Sequence, residues 1–235
     1  MDGVASRATE TRRTEPLVFG QQLMWPWIVA NSVAFTIGGL VGGGALRAII
    51  GPWFGSDVSA LEAARIQATG AGLSAAIFWT LAGTAQWLVL RRAIRAASWL
   101  PATVLGWILA GVLMGFSSGG STSTIGPDEA PVPLVVTLSV VVPLIVLLIG
   151  GGQWLILRRA ATSVDLWPLV NAGALVSAGF LGLTVAKLLP WIAGTRYPSG
   201  QALAVVGFVS GPLYGWITWQ FLAHLSRRPE EAEGS

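Results

Sequence analysis

The sequence predicts an all-α fold, an integral membrane bundle of six transmembrane helices built as three tandem helix hairpins. Three observations predict it: a shortage of charge, six uncharged windows of spanning length, and a string that recurs at a fixed interval. Charged residues make up 11% of the 235 residues, hydrophobic ones 53%, and the mean hydropathy is +0.67. An ordinary soluble domain is about 25% charged. So few charges leave a folded globule without a solvated coat, and an apolar solvent is required.

The charges are also grouped. Residues 16–46, 66–90, 96–127, 130–157, 166–186 and 197–226 contain no Asp, Glu, Lys or Arg, and even the shortest window, 166–186, is of spanning length. One span needs about 20 mostly apolar residues at about 1.5 Å each, so each window holds one helix.

The repeat sets the pairing. Gln86-Trp87-Leu88-Val89-Leu90-Arg91-Arg92 recurs as Gln153-Trp154-Leu155-Ile156-Leu157-Arg158-Arg159. The same interval, taken once more, leads from Gln153 to Gln220, which is followed by a degenerate stretch and Arg227-Arg228. The other helix of each unit opens on Trp25-Pro26, Trp99-Leu100-Pro101 or Trp167-Pro168. Proline is tolerated at a helix start, where its missing N–H would be unpaired anyway. Tryptophan suits the headgroup zone, with one end apolar and one wet. Pro101 and Pro168 keep the interval of the glutamine string, whereas Pro26 and Pro101 stand further apart. Unit one is therefore longer, with its extra residues expected between Gly43 and Thr69.

The expected helices are 23–46, 69–91, 100–117, 131–157, 166–189 and 201–225. They pair as hairpins at 20–95, 96–161 and 162–228, between a polar tail at 1–19 and an acidic tail at 229–235. An odd number of equivalent hairpins suggests a pseudo-threefold arrangement.

Taken in order, the leader carries Arg7, Arg12 and Arg13. Thr11-Arg12-Arg13 has the outline of a twin-arginine signal, but Glu15, Pro16 and the lack of an A-x-A site favour an uncleaved tail. Ser59-x-x-Glu62 has capping-box spacing, so helix two is expected to start near Ser59. Glu62 and Glu129 are separated by the repeat interval, which suggests a repeated cap. Residues 121–128 read as an outer loop, with Pro127 and Asp128 opening helix four. Pro143 is expected to kink that helix. Lys187, in the last turn of helix five, is expected to snorkel to the outer interface.

Basic residues set the orientation. One side holds Arg7, Arg12, Arg13, Arg91, Arg92, Arg95, Arg158, Arg159, Arg227 and Arg228; the other holds Arg47, Arg65, Lys187 and Arg196. Both termini are therefore expected in the cytoplasm, with the bundle in the bacterial inner membrane. Tryptophans 25, 27, 87, 99, 154, 167 and 219 fall near that face.

The composition excludes several classes of function. There are no cysteines, so disulfides and thiolate chemistry are absent. The pI near 10.2 does not indicate nucleic acid, because the basic residues form short juxtamembrane pairs and no stripe. No Asp or Glu lies in an expected span, which argues against intramembrane carboxylate chemistry. No catalytic set, cofactor site or metal ligand set can be assembled around the single histidine, His224. It reads first as a headgroup contact and only second as a ligand.

The best candidates for a site are Gln86, Gln153 and Gln220, about 8–10 Å inside the arginines by helical rise. Under threefold packing they are expected to converge, first as interhelical glue and alternatively as a polar ring for a solute or chromophore. Arg91, Arg92, Arg158, Arg159, Arg227 and Arg228 are expected to contact anionic headgroups and fix topology. Gly38-Gly39 with Gly42-Gly43, Gly111 with Gly115, and Gly207 with Gly211 and Gly215 are expected at helix–helix contacts. The alternative for these glycine faces is a smooth surface for another membrane protein subunit or a flat pigment.

The Trp-Pro openings and the Gln-Trp-Leu-x-Leu-Arg-Arg closes resemble a group of uncharacterised bacterial multi-pass membrane proteins, over residues 20–228. That resemblance implies a membrane-bound repeat protein and transfers no site residue. Phe221, Ala223 and His224 depart from the pattern. The expected function is a non-enzymatic accessory, scaffold or lipid-interacting bundle. The alternatives are a transporter or channel for a neutral or lipophilic solute, and a pigment- or quinone-binding subunit.

Overall fold

The computed structural model describes residues 20–53, 59–94, 97–119, 142–188 and 200–225. They form six α-helices: α1 Met24–Ile50, α2 Ala60–Leu90, α3 Trp99–Gly119, α4 Val142–Ala160, α5 Trp167–Leu188 and α6 Gly200–Leu222. Single 3-10 turns, Gln21–Leu23 and Gly51–Trp53, flank α1. The tails 1–19 and 229–235, the 121–128 loop with Glu129, Arg95, the Lys187 side chain, Arg227 and Arg228 lie outside the described residues. Three helical stretches, Gln21–Trp53, Leu61–Leu90 and Gly200–Leu222, are long and apolar enough to cross a membrane.

Local chemistry accounts for the boundaries. Ser59 is extended (φ −62°, ψ 153°), and its hydroxyl accepts a 3.3 Å bond from the Glu62 amide. That cap satisfies one of the orphan amides of a helix start. It begins α2 at Ala60, well before the expected 69, as the capping-box spacing indicated. The helices of unit one are long, α1 of 27 residues and α2 of 31. Pro143 stands at the edge of the described part of α4, and the residues before it, on which the expected mid-helix kink depends, lie outside the described residues. The proline that interrupts a described helix is Pro212 in α6.

Each helix packs mainly against its chain neighbours, and α6 returns to lie along α1, so the six helices close into a ring. Glycine makes that closing seam possible. A Cβ on Gly207 would fall on the Phe35 carbonyl, and one on Gly39 on the Leu203 carbonyl. At Gly211 it would sit 2.7 Å from Ser32 Cα. Helix backbones this close exclude any side chain between them. One glycine block on α1 serves two seams: Gly39 and Gly43 face α6, while Gly38 and Gly42 lie against Phe78 and Ser74 of α2.

The outer face of the helices is apolar as well as the core. Trp25, Val29, Val33, Ile37 and Val41 form an outward row on α1 at four-residue spacing, each 46–66% exposed. Phe180 and Phe208 project outward as well. Meanwhile Asn31, Gln86, Thr103, Gln153, Asn171, Ser210 and Thr218 are buried.

Candidate functional site

Every helix presents an inward ladder at four-residue steps, the spacing that stacks side chains on one helical face. On α1, α3 and α5 the ladders read Trp27-Asn31-Phe35, Trp99-Thr103-Trp107 and Trp167-Asn171-Leu175. On α2 and α4 they read Ala82-Gln86-Leu90 and Ile149-Gln153-Leu157, and on α6 Tyr214-Thr218-Leu222. Stacked around the ring, these ladders make layers. Trp27, Trp99, Trp167, Leu90, Leu157 and Leu222 form one almost fully buried apolar layer. The middle rungs form a polar layer one helical turn further in. Beyond it lies an aromatic layer, with Trp79 stacked on Trp107 at 4.0 Å and Phe35 on Tyr214 at 5.3 Å.

The polar layer joins every pair of adjacent helices by one side-chain hydrogen bond. Gln86 donates from Nε2 to Asn31 Oδ1 (2.8 Å) and accepts at Oε1 from Trp99 Nε1 (3.2 Å). Gln153 repeats this, donating to Thr103 Oγ1 (3.0 Å) and accepting from Trp167 Nε1 (3.1 Å). Each glutamine thus binds the first helix of its own hairpin and the first helix of the next. In the third hairpin two residues divide the task. Tyr214 donates its hydroxyl to Asn171 Oδ1 (2.7 Å), and Thr218 Oγ1 accepts from Trp27 Nε1 (2.9 Å).

The donors and acceptors balance. Asn31 gives its amide N–H to the Trp27 carbonyl (2.8 Å), and Thr218 gives its hydroxyl to the Tyr214 carbonyl (2.7 Å). Among the described residues no fully buried side-chain nitrogen or oxygen lacks a partner. An unpaired amide in so dry a setting would cost about 1–3 kcal/mol. The layer is therefore a closed girdle of matched groups.

The geometry corrects two expectations. The three glutamines do not meet: Gln86 and Gln153 occupy equivalent places in the girdle, but Gln220 points outward and is exposed. Thr218, two positions before Gln220, holds the third place. In that register Trp219 and Leu222 match Trp87 and Leu90, so the third string is shifted by two positions. Likewise the first Trp-Pro anchor is not equivalent to the others. Trp25 is 66% exposed, and buried Trp27 is the counterpart of Trp99 and Trp167.

The remaining candidates lie at the rim. Arg91, Arg92, Arg158 and Arg159 are exposed. The Arg91 guanidinium lies over the Trp87 ring at 5.2 Å, and that of Arg158 over Trp154 at 4.6 Å. His224 is exposed, with Nδ1 2.5 Å from the Gln220 carbonyl. Among the described residues no three His, Cys, Asp or Glu side chains gather as a metal site.

Asn31, Thr103, Asn171, Tyr214 and Thr218 escaped the sequence reading. For Asn31, Thr103 and Asn171 the signal was the four-residue step after Trp27, Trp99 and Trp167, which a search for whole repeated strings passes over; Tyr214 and Thr218 follow no such tryptophan. No family model, no curated protein and no solved structure matches the chain.

Proposed function

We propose that the chain is a non-enzymatic integral membrane protein of six spans, an accessory or scaffold bundle that works through lipid and protein contacts at its surface. Both termini lie in the cytoplasm in this reading, by the excess of arginine at the ends of α2 and α4. The apolar outer face supports the membrane: an outward row of Trp, Val and Ile is stable against lipid tails and costly against water.

The observation that carries the non-enzymatic role is the girdle. Its inward amides, hydroxyls and indoles are consumed by bonds between adjacent helices, so its groups bind the bundle and are not presented to a solute. The Trp and Leu layer at the rim side of the girdle supports a dry, closed centre. Six bonds at about 0.6 kcal/mol each supply about 4 kcal/mol, enough to fix helix register.

Two measurements test the proposal. Membranes containing the protein are washed with alkaline carbonate; retention in the pellet is expected, and release refutes the membrane reading. Proteoliposomes are then followed by stopped-flow light scattering with glycerol and urea. Permeability equal to that of empty vesicles is expected. Faster entry of either solute overturns the closed bundle in favour of a solute pathway.

A further inference from the structure

We propose that the bundle carries two discrete binding sites for the phosphate of an anionic phospholipid, one at the rim end of α2 and one at the rim end of α4. The inference rests on the membrane reading above and adds to it a ligand class, a number and an order of strength.

The first site is Trp87, Arg91 and Arg92; the second is Trp154, Arg158 and Arg159. In each, a half-buried tryptophan closes the apolar core from outside, and the first arginine of the pair lies across its ring. The stacked ring holds a guanidinium in place without using its N–H donors. Arg91 and Arg158 are themselves exposed, and the second arginine stands exposed beside each. Two positioned guanidiniums offer the fork of donors that matches phosphate oxygens. The exposed aliphatic neighbours Leu88 and Leu155 lie one step along the helix from each tryptophan, where an acyl chain would run.

Among the described residues the third hairpin shows no such arrangement, and Arg227 and Arg228 lie outside them. In the shifted register the positions of the arginine pair are held by Ala223 and His224, and Trp219 is buried at 3% exposure. That difference follows from the same two-position shift that replaces glutamine with Thr218 and Tyr214. Charge also ranks the two sites. The indole of Trp154 donates to the Asp165 carboxylate (3.3 Å), placing a negative charge on the platform that carries Arg158. The corresponding position before Trp99 is Ala97. Site one therefore binds an anionic headgroup more tightly than site two.

The test is native mass spectrometry of the full chain released from nanodiscs of phosphatidylcholine, with and without phosphatidylglycerol. Insertion into the pure phosphatidylcholine disc checks the membrane reading by itself. With phosphatidylglycerol present, two retained anionic lipids per protein are expected. R91Q/R92Q and R158Q/R159Q should each retain one, with affinity at the altered site reduced about fivefold per arginine and about thirtyfold for the pair. D165N should raise occupancy of the second site. The variant R47Q/R65Q, altered at exposed arginines of the far end, should still retain two. Equal retention in all variants, or equal loss in R47Q/R65Q, overturns the proposal while leaving the membrane reading intact. Failure to enter the lipid disc refutes the membrane reading instead.

Discussion

The third hairpin does with two side chains what the first two do with one. Gln86 and Gln153 each carry a donor and an acceptor on a single amide, aimed at helices on either side. In α6 the acceptor is the hydroxyl of Thr218 and the donor is the hydroxyl of Tyr214, one turn away. The ring keeps its pattern of bonds although the residue types change. What is preserved is the pairing of donors with acceptors at each seam, and several side chains satisfy that demand. In a dry interior each buried polar group has to be matched, so a substitution at one seam forces compensation within reach.

The largest effect tests the seam that joins the third hairpin to the first. Gly207→Val places its branched side chain on the Phe35 carbonyl and should prevent closure of α6 on α1. Loss of folded protein in detergent size-exclusion chromatography is expected. Gly173→Ala, where a Cβ meets nothing within 4 Å, should elute as wild type.

Next comes Gln86→Leu, which strips both partners at once and leaves the Trp99 indole and the Asn31 carbonyl oxygen without their bonds. A loss of about 1–3 kcal/mol is expected in unfolding measured in lipid bicelles. In the third hairpin the same loss should divide. Tyr214→Phe and Thr218→Val each remove one girdle bond and should cost about 0.6 kcal/mol, adding in the double variant. A double variant no weaker than either single one would break the comparison.

The smallest effect is at Gln220, the residue that the repeat interval singles out. It is exposed, so Gln220→Leu should shift stability by less than about 0.5 kcal/mol. A cost equal to that of Gln86→Leu would show that Gln220 belongs to the girdle after all.

The all-helical class, the helix order and the early start of α2 were legible in the sequence, because each rests on local rules: apolar length, hairpin repetition and the Ser59 cap. Gln86 and Gln153 were legible as well, since an amide among apolar residues draws notice. The third member was not. A fixed interval assumes that no residue is gained or lost, and α6 has moved by two. The match of Trp219 and Leu222 to Trp87 and Leu90 marks that shift, but the eye follows the conspicuous glutamine and arginines. The first tryptophan anchor misled for a related reason. Trp25 adjoins a proline, yet Trp27 has the polar residue one turn along that the girdle needs. The partner helix, invisible to a linear reading, decides which tryptophan turns inward.

The hydrogen bonds also have a sense of circulation. The indole of each hairpin donates backward to the preceding one, Trp99 to Gln86, Trp167 to Gln153 and, across the chain ends, Trp27 to Thr218. Each hairpin therefore has one giving edge and one receiving edge, and no edge pairs with its own kind. That is the rule of a head-to-tail, heterologous interface, which makes a ring when the rotation closes. Here closure takes three units. The three hairpins stand in one order round the ring, with the last edge returned to the first.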